Sequence, residues 1–387
     1  MTDLERILPM WSELEAAGAD YVLATVVAVE GPSYRKPGAI MLLAQDGRRA
    51  GTVSGGCLEG EVARRAWWLT ANGPTVQRYS TAEDDGDRPY GSGCGGVVRL
   101  LLERRLSANP LLKALEQSFR RRVPMAVATV LEGERVGRRA FAGLEMGPTG
   151  DPLFGADDRL QKLAELALAS RGSMENRLSV KGTEVRAWTD FRPARRGLWI
   201  FGAGDDALPL VRLGKELGWY VTVADGRFQL ATRERFPLAD EVHVLPVMDL
   251  PGSGSAERPL ALANLRSQDA AVTMTHSFEQ DSRVLALLLG FDSGPAYIGV
   301  LGPQRRTREL LAEAARLLDL PGSSDSSISD TVELWLARLH APTGLDLGAE
   351  SPETVALSVV AEIQKSFAAA SARPLREVRA VGVGVPR

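Results

Sequence analysis

An apolar run, Leu198-Trp199-Ile200-Phe201, passes directly into Gly202-Ala203-Gly204-Asp205-Asp206-Ala207 and then into an apolar helical pattern. No other stretch restricts the possible folds as much. Glycines in a strand–turn–helix of this kind let the chain reverse tightly and let a phosphate approach the helix N-terminus. Around this turn, short apolar strands (Gly197 to Phe201, Tyr220 to Ala224, Glu241 to Leu245, Ala270 to Met274, Ala296 to Leu301) alternate with helical patterns. Those patterns run to Leu217, near 258–265 and from about Asp281. Such alternation predicts a Rossmann-like, doubly wound parallel sheet. Asp225 follows the second strand, where that fold places a ribose-binding carboxylate. Asp205 and Asp206 put two negative charges beside the pyrophosphate position, so the turn argues more strongly for the fold than for bound NAD. Arg227 leaves NADP open. His276 follows the strand ending at Met274, at the carboxyl edge where ligands collect in such sheets, and is a candidate site residue. Its alternative is a hydrogen-bonded loop histidine. His243, inside an apolar strand, reads as structural, and His340 as a helix-end cap.

The first half reads differently. Residues 3–17 carry apolar positions at helical spacing, and Tyr21 to Val29 is a β-branched, buried strand. Ile40 to Ala44 leads through Gln45-Asp46-Gly47 into a hairpin strand ending near Val53. A helix follows Cys57 to about Thr70, Gly96 to Leu102 and Pro124 to Leu131 are strands, and 157–169 is helical. This is an α+β unit with a mostly antiparallel sheet, in a chain that is α/β as a whole. The basic stretch Phe191-Arg192-Pro193-Ala194-Arg195-Arg196 marks the change, giving domains 1–190 and 191–387. Residues 83–88 and 251–257 read as exposed loops.

The two cysteines, in a chain of 387 residues, both lie in glycine-rich turns: Ser54-Gly55-Gly56-Cys57-Leu58-Glu59 and Gly91-Ser92-Gly93-Cys94-Gly95-Gly96. Glycine neighbours leave a thiol uncovered and expose backbone N–H groups to a small ligand. Cys57 is expected at a helix start, where free N–H groups and the helix dipole favour a thiolate. Arg35 and Lys36, in the loop Gly31 to Gly38, add positive charge if that loop folds over the turn. The bland alternative is an inert thiol in a tight turn. Two cysteines make no disulfide framework, and no Cys-x-x-Cys or close histidine spacing suggests zinc. A net charge of −3 gives no case for nucleic acid or anionic membrane. The charged start and the lack of any long apolar run predict a cytoplasmic protein without leader or membrane span.

Taken together, these motifs resemble those of the xanthine dehydrogenase accessory (XdhC/CoxI) family. The resemblance covers nearly the whole chain. It rests on Gly31-Pro32-Ser33-Tyr34-Arg35-Lys36-Pro37-Gly38-Ala39, on both cysteine turns, and on Gly202-Ala203-Gly204, Thr275-His276, Tyr297-Ile298-Gly299 and Leu301-Gly302. The closing Pro342-Thr343-Gly344-Leu345-Asp346-Leu347-Gly348-Ala349-Glu350-Ser351-Pro352-Glu353 adds to it, with Ser351 and Pro352 opening a helix to about Ser366. Pro32 and Pro303 stand where the family usually has serine. The resemblance implies a chaperone for the molybdenum cofactor (molybdopterin or its dinucleotide form), an accessory protein rather than a catalyst. It would protect the cofactor, assist its sulfuration by a cysteine desulfurase and insert it into a xanthine or CO dehydrogenase-type molybdenum hydroxylase, working as a homodimer. Cys57, and secondarily Cys94, would contact molybdenum, which accepts thiolate ligands. Gly55, Gly56, Gly93 and Arg35 would complete that site, and Gly202, Gly204, Asp225 and His276 would hold the nucleotide end. The rival readings are an NAD(P)-dependent oxidoreductase using the Gly202 loop and an adaptor with inert thiols.

Overall fold

The computed structural model describes residues 2–80, 96–144, 158–180, 183–251, 259–290, 294–318 and 325–378. Gly93, Cys94, the stretch 83–88 and residues 252–257 lie outside the described residues. The chain forms two compact units, Met1–Arg195 and Arg196–Arg387.

In the first unit, α1 (Asp3–Ala16) precedes β1 (Tyr21–Glu30), β2 (Ile40–Ala44), β3 (Arg49–Gly51), α2 (Glu59–Leu69), β4 (Thr75–Ser80) and β5 (Val97–Arg104). The five strands make an antiparallel sheet in the order β3-β2-β1-β5-β4. Helix α3 (Arg105–Arg121), which the sequence reading did not foresee, follows. Helices α1 and α3 bury Ile7, Trp11, Leu111 and Leu115 against Leu23 and Leu42 on one face. Helix α2 buries Val62 and Ala66 against Val22, Ala24, Val26, Leu100 and Leu102 on the other. Burial on both faces is why β1 reads as a near-continuous apolar run rather than an alternating one. A second antiparallel sheet, β7-β6-β9-β8, comprises β6 (Met125–Val130), β7 (Arg139–Ala142), β8 (Met174–Val180) and β9 (Thr183–Arg192), with α4 (Asp158–Ser170) packed on it.

Two details of the sequence reading change here. The third strand stops at Gly51 because the Val53 and Ser54 N–H groups are drawn to the Glu59 carboxylate. Phe191 and Arg192 complete the β6–β9 ladder opposite Ala126 and Met125, so the units part after Arg195 rather than at 190.

In the second unit, β10 (Gly197–Phe201), α5 (Ala207–Glu216), β11 (Tyr220–Asp225), β12 (Glu241–Val244), β13 (Ala270–Thr273), α6 (Phe278–Gly290) and β14 (Tyr297–Val300) build a wholly parallel sheet. Its order is β12-β11-β10-β13-β14. The order reverses between β10 and β13, the point at which such sheets open a crevice at their carboxyl ends. Helices α7 (Gln304–Leu317) and α8 (Asp325–Leu336) join α6 on the face of Trp199 and Phe201. Helix α9 (Pro352–Ala368) joins α5 on the face of Leu198 and Ile200, and a short α10 (Leu375–Val378) follows. The predicted helix near 258–265 is, among the described residues, only a 3-10 turn at Leu260–Leu262, closed by a bond from Leu262 N–H to the Pro259 carbonyl at 2.8 Å.

His340 is not a helix cap. Its ring stacks on Tyr297 at 4.2 Å, and its Nδ1 lies 3.0 Å from Glu362 of α9. The other Glu362 oxygen accepts from Tyr297 Oη at 2.7 Å and from Gly344 N–H at 2.7 Å. This network fastens the Pro342–Gly348 segment and α9 to β14. His243 stacks on Trp199 and bonds to Glu241 at 3.1 Å within β12.

Candidate functional site

The turn that carries Cys57 is organised by a buried carboxylate. Glu59, in the first turn of α2, is only 2% exposed. It accepts from Val53 N–H at 3.1 Å, Ser54 N–H at 2.9 Å and the Ser54 hydroxyl at 2.5 Å. The same hydroxyl oxygen accepts from the N–H groups of Gly56 and Leu58, both at 3.1 Å. Burial pushes the Glu59 carboxyl up, but these donors outweigh it and hold the group below the usual carboxylate range. Gly56 adopts φ of +115°, a backbone region that disfavours other residues. Cys57 therefore sits two residues before the helix on a turn pinned from beneath.

The thiol is half-buried rather than bare. One flank packs against the apolar cluster of Leu58, Val62 and Val98. The loop Gly31 to Gly38 does fold over the turn. A Cβ placed on Gly55 would lie 3.5 Å from Cγ of Tyr34, whose ring is otherwise 76% exposed. One placed on Gly96 would lie 2.1 Å from the Pro32 carbonyl oxygen. The loop is thus seated against both the Cys57 turn and the residue that closes the second cysteine motif. Arg192 of β9 holds the loop's far end by donating to the Gly38 carbonyl, and it bonds Asp190 at 2.7 Å. Arg35 pairs with Asp3, while its buried Nε has no partner among the described residues. Burial weakens the hold of Arg35 on its proton; the Glu59 charge opposes this and that of Arg192 adds to it. Lys36 is exposed.

Sequence reasoning placed Gly55, Gly56, Cys57 and Arg35 together but missed Glu59's central role. The Ser54…Glu59 spacing was the available signal: a hydroxyl and a carboxylate flanking a Gly-Gly turn.

In the second unit, Gly202 and Gly204 follow β10 and His276 follows β13, on either side of the point where strand order reverses. Gly202 has φ of +138°, and a Cβ there would meet the Met274 carbonyl at 2.6 Å. Gly204 would meet Asp206 Oδ1 at 2.5 Å. Glycine is required at Gly202, where backbone stands in the way, whereas at Gly204 only the Asp206 side chain would have to move. Asp225 is fully buried, and its carboxylate receives the Ala203 N–H at 2.7 Å, the Arg227 N–H at 2.8 Å and two guanidinium bonds from Arg227 at 3.0 and 2.7 Å. Burial raises this acid, and the bonds from Arg227 and Ala203 more than reverse that. As placed, Asp225 braces the glycine loop. His276 is 70% exposed, adopts φ of +61° and lies 3.3 Å from Asp206. Asp205 pairs with Arg235 at 2.7 Å.

Among the described residues, no group of three or more potential metal ligands occurs, and no helix is long and apolar enough to cross a membrane.

Comparison with known proteins matches residues 198–363 to the XdhC Rossmann domain and residues 14–80 to the XdhC and CoxI family. The chain is 32% identical over 353 residues to a Bacillus subtilis protein named as a probable xanthine dehydrogenase subunit, covering 88% of this chain and 92% of that protein. It is 26% identical over 373 residues to the molybdenum cofactor insertion chaperone PaoD of Escherichia coli, covering 94% and 89%. A crystal structure described as a xanthine dehydrogenase from Bacillus halodurans aligns over 98% of this chain and 100% of its own, with TM-score 0.64 and 27% identity.

Proposed function

Because this chain belongs to the XdhC and CoxI family, we propose that it binds the molybdenum cofactor as an accessory protein and delivers it to a xanthine dehydrogenase-type molybdenum hydroxylase. The name of the E. coli relative, a cofactor insertion chaperone, supports the reading. The observation that carries it is the Cys57 turn: a half-exposed thiol on a glycine turn held by Glu59, with Tyr34 beside Gly55 and the Arg35 charge felt by Glu59.

The residues suit an anionic, sulfur-ligated cargo. Bound there, the cofactor's molybdenum centre would accept a thiolate ligand. Cys57 supplies the sulfur. Arg35 supplies positive charge and a buried N–H that no described residue satisfies, a donor suited to an anion. The Tyr34 ring stands beside Gly55 and offers the cargo an aromatic surface. Glu59 fixes the turn so that the thiol does not wander. Cys94 and Gly93 would add to the same site, their motif ending at Gly96 beneath Pro32.

Gly202, Gly204 and His276 would take the nucleotide end of a dinucleotide form of the cofactor, with Asp225 acting through the loop it braces. An NAD(P)-dependent oxidoreductase is the weaker reading, because the ribose-binding carboxylate it needs is already spent on Ala203 and Arg227. Sulfuration of the bound cofactor by a cysteine desulfurase, a homodimeric state and a cytoplasmic setting complete the proposal.

The test is anaerobic reconstitution of the full chain with isolated cofactor, followed by molybdenum and pterin analysis. Cys57→Ser is expected to lose at least about tenfold in cofactor affinity, the scale of a strong charged contact. Full cofactor occupancy in Cys57→Ser and Cys94→Ser together, with delivery intact, would leave only the adaptor reading. Tight NAD(H) binding with turnover would favour the oxidoreductase.

A further inference from the structure

We propose that Gln280 reads the nucleobase of a bound nucleotide, pairing its amide with the hydrogen-bonding edge of the base at the carboxyl end of the parallel sheet. This rests on the reading that the second unit takes the nucleotide end of the cofactor, and it adds what tells one nucleotide from another there.

The loops after β11 and β12 leave the sheet side by side, because Asp225 stands opposite Val244 and the Leu245 N–H donates to the Asp225 carbonyl at 2.9 Å. Gln280 comes from elsewhere, in the first turn of α6, the helix that follows β13. It nevertheless lies against the β11 loop. A Cβ placed on Gly226 would stand 3.3 Å from Gln280 Oε1, 3.4 Å from its Nε2 and 3.3 Å from the Leu245 carbonyl oxygen. Since β10 lies between β11 and β13, this contact spans the carboxyl end of β10, where the Gly202 loop departs. Asp225, the residue before Gly226, holds the Ala203 N–H of that loop at 2.7 Å. The glycine turn and the amide thus border one crevice.

Gln280 is only 3% exposed, and its Nε2 has no partner among the described residues. A buried donor left unpaired destabilises the folded chain, and in a ligand crevice a bound group is what satisfies it. The terminal torsion of a glutamine is soft, so the amide turns in place to present either atom. It offers a donor and an acceptor side by side in one plane. That pattern matches the adjacent acceptor and donor on the edge of a base, whereas a phosphate presents acceptors alone. Phe228, two residues past Gly226 and 74% exposed, gives the same loop an aromatic surface on which a base stacks.

The test is calorimetric titration of the full chain with AMP, GMP, CMP and ribose 5-phosphate, which carries the sugar and phosphate without a base. At least one nucleotide should bind at least about tenfold more tightly than ribose 5-phosphate, the scale of a buried amide gaining its partner. Gln280→Met keeps the length and unbranched shape of the side chain without its polar atoms. It should abolish that preference while the urea midpoint stays level or rises, since no bond within the chain is lost. Should Gln280→Met fold poorly, Gly226→Ala, which crowds the amide from the β11 loop, decides by the same preference. Ribose 5-phosphate binding as tightly as every nucleotide would overturn this inference and leave the nucleotide-end reading standing. A preference that survives in the variant would do the same, and with a lowered midpoint it would mark Gln280 as a residue that only supports the fold. Failure of all these probes to bind would overturn both readings of the second unit, while the Cys57 result with the whole cofactor is scored separately.

Discussion

At Glu59 a single carboxylate closes a turn that has little else to hold it. Both its oxygens are engaged by Val53 and Ser54, and the Ser54 hydroxyl relays the constraint to Gly56 and Leu58. An amide at this position replaces one accepting oxygen with a donor facing other donors. Glu59→Gln should therefore cost about 1–3 kcal/mol, the penalty of a buried polar group left mismatched. A urea melt of the variant measures this, and a change below 0.5 kcal/mol (about the level of an ordinary surface substitution) would show the turn to be held by something else. Cofactor loading should fall in the same variant although Cys57 is intact, because the thiol loses its fixed position. The sequence made the cysteine and its glycines visible, since residue type alone marks an uncovered thiol. It left the carboxylate's task hidden, because an acidic residue at a helix start has an adequate local explanation in the dipole.

At the scale of elements, the two sheets of the first unit are tied by a buried ion pair between Glu103 of β5 and Arg139 of β7. The two side chains are 0% and 1% exposed, and Arg139 also donates to the Ser107 carbonyl at 3.0 Å. Removing one partner strands the other's charge in the interior. Arg139→Met should cost about 3–5 kcal/mol by chemical denaturation, whereas the double variant Glu103→Leu with Arg139→Met should recover most of that loss. Equal instability of the single and double variants would show that packing, not charge, is what the pair supplies. Neither residue stood out from its sequence context. They are 36 positions apart, Glu103 just past the strand read as Gly96 to Leu102 and Arg139 in a stretch to which the sequence assigned no element. Helix α3 escaped for a related reason: Pro110 and a charged start obscure a pattern that is plain once Leu111, Leu112 and Leu115 have a sheet to face. The strands of the second unit were legible because each is short, apolar and punctuated by local turn chemistry.

Across the whole molecule, several carboxylates share one electrostatic habit. Glu59, Asp225 and Glu362 are each pushed up by burial and pulled further down by bonds made only in the folded chain. Glu15 behaves alike, through Arg105 and Tyr21. A folded-state pKa below the unfolded value stabilises at pH above the unfolded value, about 4. That stabilisation is lost as pH falls through the folded value. The urea midpoint should therefore be nearly flat from neutral pH down to about 5 and drop steeply below about 4. A midpoint unchanged at about pH 3.5, below the unfolded carboxylate value of about 4, would contradict this account. At the alkaline end the sign reverses. Burial raises the phenols of Tyr21 and Tyr297, so stability should fall once pH passes about 10, where the unfolded chain ionises first.

The amino-acid order by itself determined the parallel sheet of the second unit, the antiparallel character of the first and the presence of two glycine-framed thiols. Each of these is written in neighbours a few residues apart, in the periodicity of apolar side chains and in backbone freedom that only glycine provides. Tertiary structure alone decided that Glu59 pins the Cys57 turn, that Asp225 is spent on its own loop, that Tyr34 and Pro32 sit over Gly55 and Gly96, and that Gln280 of α6 meets Gly226 across the end of β10. Those outcomes depend on which distant groups meet at hydrogen-bonding distance, and a charged residue carries no mark in its local sequence of the partner that folding will bring to it.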